Sequence, residues 1–366
     1  MTGNEQEVSP ETRRERERVL RLPYECIQSI AAGMSDVRVW WDPNLQCERV
    51  GKRYDLSNLD DVLPEAATLQ RIDHRNVVPI LAAPDVDGYP AGMRVIEIVT
   101  PFYKRGSITD ALLRGDRFRP TQAIQITQAA LRGLGCLHEV HGILHRDIKS
   151  GNILLAEDDS LAKVADLGLA GELAADGTVP AIDNPTLYTP PELVATGVLT
   201  RPSDIFAMGL VLLELLNGPF NYESYQRTTV VERLMALRSP LSKADRTYPI
   251  WASRSVRRVL NKALHRNPNE RFQTASDMDN AMSRVRVVDW QQADEGQWEA
   301  PFLHRPSHRI QVSARAVRGS GTRMSIRVDR GNGWRRCGVP DQDVPSLDAV
   351  AAFSVFDQAT DIATDS

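Results

Sequence analysis

The stretch ILHRDIKSGNILL, residues 143–155, places polar and charged side chains between two apolar runs. Asp147, Lys149 and Asn152 lie within six positions of one another. Charged groups between hydrophobic residues lose hydration, so they persist where pairing, a metal ion or a chemical task compensates for the loss. The stretch is therefore a candidate site for catalysis or metal binding. The alternative is a polar turn that is closed by its own salt bridges.

The composition is that of an ordinary globular chain. Of its 366 residues, 42% are apolar and 25% are charged, and this length predicts two or three structural units. The formal net charge of −4 provides no overall attraction to nucleic acid or to an anionic membrane. Four widely separated cysteines form no zinc or disulfide pattern, and the N-terminal stretch lacks the apolar core of a secretory signal. We therefore expect a cytoplasmic protein with reduced thiols.

The longest apolar run is IFAMGLVLLELL, at residues 205–216. It is too short to span a bilayer and contains Glu214. We therefore expect a buried helix here and no membrane-spanning segment.

The hydrophobic pattern changes along the chain. Residues 1–21 form a charged lead, residues 22–99 read as short strands with one helix, and residues 100–288 show mainly helical spacing. The polar stretch 289–300 is interpreted as a linker. Beyond it, residues 301–366 are predicted to form a small β-rich basic module with an acidic tail. The chain is thus expected to be of the α+β class.

Five motifs follow one another in the order and approximate spacing of one family. The catalytic-loop pattern H-R-D-x-K-x-x-N is followed, nineteen residues after its aspartate, by DLG at the place of a metal-binding D-F-G, and then by PPE, SDIFAMG and NPNERFQTASDM. With these motifs, residues 24–288 resemble the eukaryotic-like serine/threonine protein kinase family. The resemblance implies a bilobal kinase domain over residues 22–288, with a small β-rich N-lobe (22–99), a larger helical C-lobe (100–288) and a separate β-rich extension. The motif residues are His145, Arg146, Asp147, Lys149, Asn152, Asp166, Glu192, Asp204 and Arg271.

The resemblance assigns chemistry to the polar residues of the opening stretch. Asp147 is expected to accept the proton of the hydroxyl that is phosphorylated, and Lys149 to stabilise charge on the transferring phosphoryl group. Asn152 and Asp166 are expected to bind Mg²⁺. The expected cofactors are ATP and Mg²⁺, and the ion also bridges the phosphates of ATP. A lysine at position 149 favours serine and threonine over tyrosine as acceptors in protein substrates.

Two structural supports are also implied. Asp204, at the start of the predicted buried helix, should hold the backbone of the catalytic loop. Arg271 should form an ion pair with Glu192. Both pairs would stabilise the site without taking part in the chemistry.

The resemblance extends less regularly to the residues that bind ATP. RVGKRY identifies Lys52 as the lysine of the α and β phosphates, and Glu65 as its helical partner, although both could be solvated surface charges. The glycine-rich loop corresponds to SIAAGMSDVRV, which keeps Gly33 alone. Because side chains limit close approach to phosphate, we expect weaker ATP binding. The alternative is a degenerate kinase that serves as a scaffold and binds nucleotide poorly.

The adenine ring is expected to meet two kinds of groups. Glu97 and Val99 are predicted to offer backbone hydrogen bonds from a hinge. Val37, Val50 and Leu154 are predicted to enclose the ring. Apolar residues at such positions are equally expected in any protein core.

Residues 167–189 correspond to the activation segment. Its candidate phosphorylation sites are Thr178, Thr186 and Thr189, although threonines are common in turns. Arg146 is expected to bind a phosphate on this segment. Pro185 stands where the family pattern has a threonine, which changes how the segment contacts the catalytic loop.

The C-terminal module has an uneven charge distribution. Nine arginines and one acid, Asp329, lie between residues 301 and 338, and six aspartates follow in residues 339–366. Alternation with Ile310 and Val312 predicts that many arginines lie on a solvated strand face. The module is interpreted either as a solvated hairpin neutralised by the acidic tail, or as a binding surface for an acidic or nucleic-acid partner. In the second case the chain could function mainly as a binding protein.

Overall fold

The computed structural model describes residues 22–32, 35–56, 69–90, 92–317 and 321–365, with backbone alone at residues 30–32, 35 and 36. Gly33, Glu65, the charged lead and most of the helix predicted before residue 73 lie outside the described residues. The chain divides into two compact units, Met1–Asn58 with Ile80–Phe102 and Leu59–Pro79 with Tyr103–Ser366.

The first unit is an antiparallel sheet of four strands in sequential order. The strands are β1 (Glu25–Ala32), β2 (Ser35–Asp42), β3 (Cys47–Asp55) and β4 (Val95–Pro101). Residues 81–86 run along the free side of β4 through two antiparallel bridges. A β-branched residue is common in these strands, as expected for a pleated surface that is partly buried.

Residues 69–79 contact the second unit, although the predicted boundary at residue 99 places them with the N-terminal sheet. Val78 N donates to Val164 O at 2.9 Å. The Asn76 side chain donates to Ser160 O and Ala162 O, both at 2.8 Å. These bonds attach the stretch to the second unit, whereas the sequence analysis grouped it with the sheet.

The second unit is mainly helical, as predicted, and its longest helix is buried on all sides. Its helices are α1 (Ile108–Leu113), α2 (Pro120–Gly135), α3 (Leu193–Thr196), α4 (Arg201–Asn217), α5 (Arg227–Met235), α6 (Arg254–Ala263) and α7 (Ala275–Met282). Every residue of α4 from Pro202 to Leu216 is buried, so this helix is the axis of the unit. Among the residues that the structure describes, no helix has both the length and the apolar character to cross a membrane.

Short strand pairs connect the helices. They are β5 (Ile143–Leu144) with β8 (Gly171–Glu172), β6 (Ile153–Leu155) with β7 (Ala162–Val164), and β9 (Val179–Pro180) with β10 (Val198–Leu199). The apolar runs at the two ends of the opening stretch are β5 and β6.

The C-terminal extension is an antiparallel six-stranded sheet covered by a helix. Its elements are β11 (Gln291–Asp294), β12 (Gln297–Pro301), β13 (Arg309–Ala316), β14 (Thr322–Asp329), β15 (Arg335–Arg336), β16 (Gln342–Val344) and α8 (Val350–Asp365). The linker prediction for residues 289–300 was wrong, because β11 and β12 belong to this sheet and bury Trp298 against the same core as Trp290. The acidic tail is largely the helix α8.

The extension packs against the helical part of its unit. The Asp357 carboxylate in α8 accepts bonds from Arg254 N at 2.6 Å and from Arg257 Nη2 at 2.8 Å, the first residues of α6. Asp289 caps α2 by accepting from Thr121 N at 3.0 Å. The extension is therefore attached to the helices by polar bonds, including those of the buried Asp357, and by apolar packing of Ile250 and Trp251 against its core.

Candidate active site

The catalytic stretch brings two donors onto one carboxylate. Lys149 Nζ donates to Asp147 Oδ2 at 2.7 Å, and Asn152 Nδ2 donates to the same oxygen at 3.0 Å. Asn152 Nδ2 also donates to Asp147 O at 2.8 Å, which closes the loop on itself. Because both side-chain bonds fall on Oδ2, the other carboxylate oxygen is left to accept a proton from an incoming hydroxyl. The three predicted residues are thus brought together.

Asp204 holds the backbone of this stretch, as predicted. Its carboxylate accepts bonds from His145 N at 2.8 Å and from Arg146 N at 3.0 Å. His138 Nε2, which is fully buried, lies 2.8 Å from the same carboxylate. Arg146 has a φ of 66°, a left-handed conformation that is rare for a residue with a side chain. The buried carboxylate therefore fixes a backbone turn that would otherwise be unfavourable.

Asp166 is positioned by the pairing of β6 with β7. Ile153 pairs with Val164, and Ala165 N donates to Asn152 O at 2.9 Å. Asp166 follows directly and has a φ of 63°. Asp166 is thus the second residue at the catalytic stretch, after Arg146, with a left-handed backbone. Such conformations cluster at functional sites.

Asn152 and Asp166 form a donor set suited to a hard cation. The amide nitrogen of Asn152 is committed to Asp147, so its amide oxygen is the atom left for a metal ion. An amide oxygen and a carboxylate are ligands that Mg²⁺ accepts, with phosphate oxygens and water completing its shell. Within the described ranges, no group of three or more His, Cys, Asp and Glu could bind a metal alone. The residues present therefore fit a magnesium ion that is shared with a nucleotide.

Lys52 lies on the same face of the first sheet as the two predicted valines. Val37 pairs directly with Lys52, and Val50 lies two residues away on the same strand. The Lys52 ammonium lies 5.2 Å from the centroid of the Tyr54 ring. Its predicted partner, Glu65, is not among the described residues, so that pair stays a prediction, as does the contact from Gly33.

The hinge prediction for Glu97 and Val99 was wrong. Glu97 N donates to Pro84 O at 2.9 Å and Val99 N donates to Ala82 O at 2.8 Å, so both amides are used within the sheet. Both residues face away from Lys52, since their neighbours on β3 are Arg53 and Gly51. The strand continues to Pro101, and any connecting segment therefore begins later than predicted.

Glu97 is instead a buried structural carboxylate. It accepts a bond from Arg53 Nε at 2.9 Å and another from Trp40 Nε1. A Cβ at Gly51 would collide with the Glu97 carboxylate and the Trp40 ring, so a glycine is required opposite this pair. Only 5% of Glu97 is exposed. A glutamate in the apolar run VIEIV was the available signal for such a buried pair.

Leu154, the third residue predicted to contact adenine, is the central residue of β6. It is partly exposed, whereas Ile153 and Leu155 on either side are buried. This alternation leaves the Leu154 side chain accessible in its own unit.

Arg146 anchors the activation segment through its guanidinium. Nε donates to Leu169 O at 2.5 Å, Nη2 to Ala170 O at 2.7 Å, and Nη1 to Pro180 O at 3.0 Å. Burial lowers the pKa of Arg146, and the nearby Asp204 carboxylate opposes this change. The carbonyls just before β8 and at the end of β9 are thus bound by the residue that precedes Asp147.

The three candidate threonines have different surroundings. Thr178, which is partly exposed, donates to Asp176 Oδ1 at 2.7 Å directly after an exposed turn. Thr189 is buried, and its hydroxyl oxygen accepts from Thr186 N at 2.8 Å. The Thr186 hydroxyl oxygen in turn accepts from Tyr188 N at 3.2 Å. Thr186 and Thr189 therefore close a local turn.

Arg271 and Glu192 form the predicted ion pair. Nη1 lies 2.7 Å from Oε1 and Nη2 lies 2.6 Å from Oε2, a bidentate geometry. Arg271 also donates to His265 O at 2.7 Å and to Pro202 O at 3.1 Å. The pair connects the end of the activation segment to α4 and to the loop before α7.

Three of the nine arginines in residues 301–338 form ion pairs with acids of the extension. Ion pairs join Arg309 to Glu299 at 2.7 Å, Arg323 to Asp343 at 2.7 Å and Arg327 to Asp341 at 3.7 Å. Residues 310 and 312 are buried between exposed or partly exposed polar neighbours, which confirms the predicted alternation. These pairs favour the solvated hairpin over a strongly basic binding surface.

Comparison with known proteins agrees with the geometry. The protein kinase domain matches residues 47–282. Serine/threonine-protein kinase PrkC of Bacillus subtilis is 30% identical over 269 residues, which cover 70% of this chain and 39% of PrkC. The serine/threonine-protein kinase PknA of Corynebacterium glutamicum is 29% identical over 230 residues, covering 61% of this chain and 46% of PknA. The chain thus spans less than half the length of these two relatives.

Proposed function

Since the chain belongs to the protein kinase family, we propose that it transfers the γ-phosphoryl group of ATP to serine and threonine side chains of proteins. The observation that carries the proposal is the Asp147 carboxylate, whose Oδ2 is held by both Lys149 and Asn152. The two relatives are serine/threonine-protein kinases by name, which supports the same acceptors here. Protein substrates and a cytoplasmic location are parts of the same proposal.

Asp147 orients the acceptor hydroxyl in this mechanism. Its Oδ2 is occupied by the two donors, so the hydroxyl proton is directed to Oδ1. Removing that proton as the oxygen attacks is general-base catalysis. Lys149 is about one-third exposed (32%) while its amine stays on Asp147, so the ammonium lies at the surface where the phosphoryl group would arrive. It stabilises the charge that develops on that group.

The family pattern assigns a set of residues to the nucleotide. A bound Mg²⁺ would neutralise phosphate charge and align the γ-phosphoryl group. Asn152 and Asp166 would hold this ion through their side-chain oxygens. Lys52 would bind the α and β phosphates, with Glu65 and Gly33 in the roles that the family pattern gives them. The side chains proposed to contact the adenine ring are Val37, Val50 and Leu154.

The proposal includes autophosphorylation of the activation segment at Thr178. This threonine is partly exposed, directly after an exposed turn, and its hydroxyl donates to Asp176 in that turn. Thr189 is buried, and the hydroxyl oxygens of Thr186 and Thr189 serve as acceptors within a backbone turn. Phosphorylating them would break that turn, which favours Thr178.

Transfer from labelled ATP in the presence of magnesium tests the proposal. The Asp147→Asn variant should lose about a hundredfold or more of the wild-type rate, because a general base contributes on that scale. Asp159→Asn, in the exposed turn after β6, removes the same charge and should retain the rate. Mass spectrometry should find phosphate at Thr178. No incorporation by the wild-type chain would reject the proposal and would favour the nucleotide-poor scaffold.

A further inference from the structure

A buried group of hydrogen-bonded side chains, the hydroxyl cluster, lies beside the catalytic stretch. It consists of Thr109, Ser150, Tyr188, Glu214 and Tyr222. Thr109 Oγ1 lies 2.6 Å from Ser150 Oγ, which lies 2.8 Å from the Tyr188 hydroxyl. Tyr188 donates to Glu214 Oε2 at 2.6 Å, and Tyr222 donates to Glu214 Oε1. Ser150 and Glu214 have no exposed surface (0%).

The donors and acceptors of the hydroxyl cluster can be assigned in one direction. Each Glu214 oxygen receives a tyrosine O–H, which favours the carboxylate although burial raises its pKa. Burial and this carboxylate raise the pKa of Tyr188 well above its ordinary value, so Tyr188 keeps the proton that it donates. Because a hydroxyl has one proton, Ser150 donates to Tyr188 and accepts from Thr109. The cluster is a series of donors that ends on Glu214.

Ser150 joins this series to the catalytic stretch. It follows Lys149 directly and begins the 3₁₀ turn Ser150–Asn152. Within the turn, Asn152 N donates to Lys149 O at 2.9 Å. Of the two residues that bind Asp147, Lys149 directly precedes this turn and Asn152 ends it, so both adjoin a turn whose first residue is held by the cluster.

Helix α4 supplies an acceptor at two points of the stretch. Asp204, in its first turn, accepts bonds from the backbone amides of His145 and Arg146. Glu214 reaches Ser150 through one tyrosine hydroxyl. Ten residues separate the two carboxylates, which is about 15 Å along a helix. One buried helix thus fixes the stretch at two points.

We propose that Ser150, Tyr188 and Glu214 are positioning residues for phosphoryl transfer, an inference that rests on the proposed kinase function. Their bonds hold the turn that aims Lys149 at Asp147. Pro185, in the same part of the activation segment, has no side-chain donor, and the Tyr188 hydroxyl provides the link to Ser150. None of the three touches the reacting atoms.

Kinetics of Tyr188→Phe, Ser150→Ala and the double variant test this role. Each single change should lower kcat about tenfold, the scale of one lost buried hydrogen bond, and leave the KM for ATP within about twofold. The loss in the double variant should be less than the sum of the two single losses, because both changes remove the bond between Ser150 and Tyr188. Additive losses, or an unchanged kcat, would contradict the proposal.

Tyr225→Phe is the matched control. The Tyr225 hydroxyl donates to Asp245 Oδ2 and accepts from Ser242 N at 3.1 Å, so it also joins a carboxylate to a loop. Among the described residues, the hydrogen bonds of the Tyr225 hydroxyl go to Asp245 and Ser242 and to no residue of 143–155. Its loss should lower thermal stability but leave kcat unchanged, which separates positioning from general stabilisation.

Amide hydrogen exchange of the nucleotide-free protein gives a measurement that needs no activity. Peptides that cover residues 145–155 should exchange faster in Tyr188→Phe and in Ser150→Ala, by similar factors, and at the wild-type rate in Tyr225→Phe. If the wild-type chain transfers no phosphate, the proposed function fails and the exchange data still decide the positioning role. Unchanged exchange in either variant overturns it, whatever the activity.

Discussion

The catalytic stretch and the C-terminal extension both combine charged residues with apolar strands, but they use them in opposite ways. In the stretch, Asp147 and Asn152 are buried, Lys149 is partly exposed, and the bonds converge on the Asp147 carboxylate beside a left-handed residue at Arg146. In the extension, the strands are regular and arginines such as Arg323 point to solvent with exposed acidic partners. Number of charges is therefore a poor guide to a site. Burial with a strained, over-determined backbone is a better one.

The same contrast explains what each region needs to be stable. Buried polar groups are expensive unless each has its partner, so one lost partner leaves another group unsatisfied. Exposed ion pairs replace contacts with water and contribute little. Substituting equivalent bonds in the two regions should therefore give very different effects.

The largest effect is expected for Asp204→Asn. The change leaves the amides of His145 and Arg146 with one acceptor in place of two and turns an N–H group towards a donor. We expect the free energy of unfolding to fall by about 4 kcal/mol and phosphate transfer by about a hundredfold. Chemical denaturation and the labelled-ATP assay measure the two losses. Asp277→Asn, at an exposed helix start, is the control, and equal effects for the two would contradict the role of Asp204.

A smaller but still large effect is expected for Arg271→Met. Arg271 has no exposed side-chain surface (0%) and forms the bidentate pair with Glu192. Its removal leaves a buried carboxylate without its partner, at a cost of about 3 kcal/mol of unfolding free energy. Denaturant titration measures this cost. Rescue by Glu192→Gln in the same chain should recover part of it, and no recovery would indicate that the loss comes from packing.

The residues of the catalytic stretch could be predicted because they belong to one local motif. Asp147, Lys149 and Asn152 lie in one short loop, so their sequence spacing fixes their geometry. The hinge could not be predicted in the same way, since the run VIEIVTP is apolar both inside a strand and at its end. Which amides of β4 are used depends on its pairing with residues 81–86, and that contact is not visible in the run itself.

The extension shows a second kind of limit. The stretch 289–300 looks polar, but its two tryptophans are buried in a sheet whose other strands come later in the chain. The helix α8 did leave a signal, because Ala352, Val355, Phe356, Ala359 and Ala363 recur at helical spacing and are all buried. Aspartates of this segment lie on the same helix as its apolar face, so charge alone does not predict the helix.

The smallest effect is expected for Arg323→Met, which compares an exposed ion pair directly with the buried pair of Arg271. Arg323 forms a bidentate pair with Asp343, as Arg271 does with Glu192, but both side chains are more than half exposed (54% and 60%). Water solvates the remaining carboxylate, so the unfolding free energy should change far less than in Arg271→Met.

The pair should also depend on salt and pH. Arg323 lowers the pKa of Asp343, so any stabilisation exists above the ordinary pKa of an aspartate and is lost as the pH falls through the lowered value. Denaturation of the wild-type and variant chains at low and high salt, at neutral and acidic pH, measures this difference. A loss comparable to that of Arg271→Met would show that exposure does not decide the strength of these pairs, and the contrast between the two regions would fail.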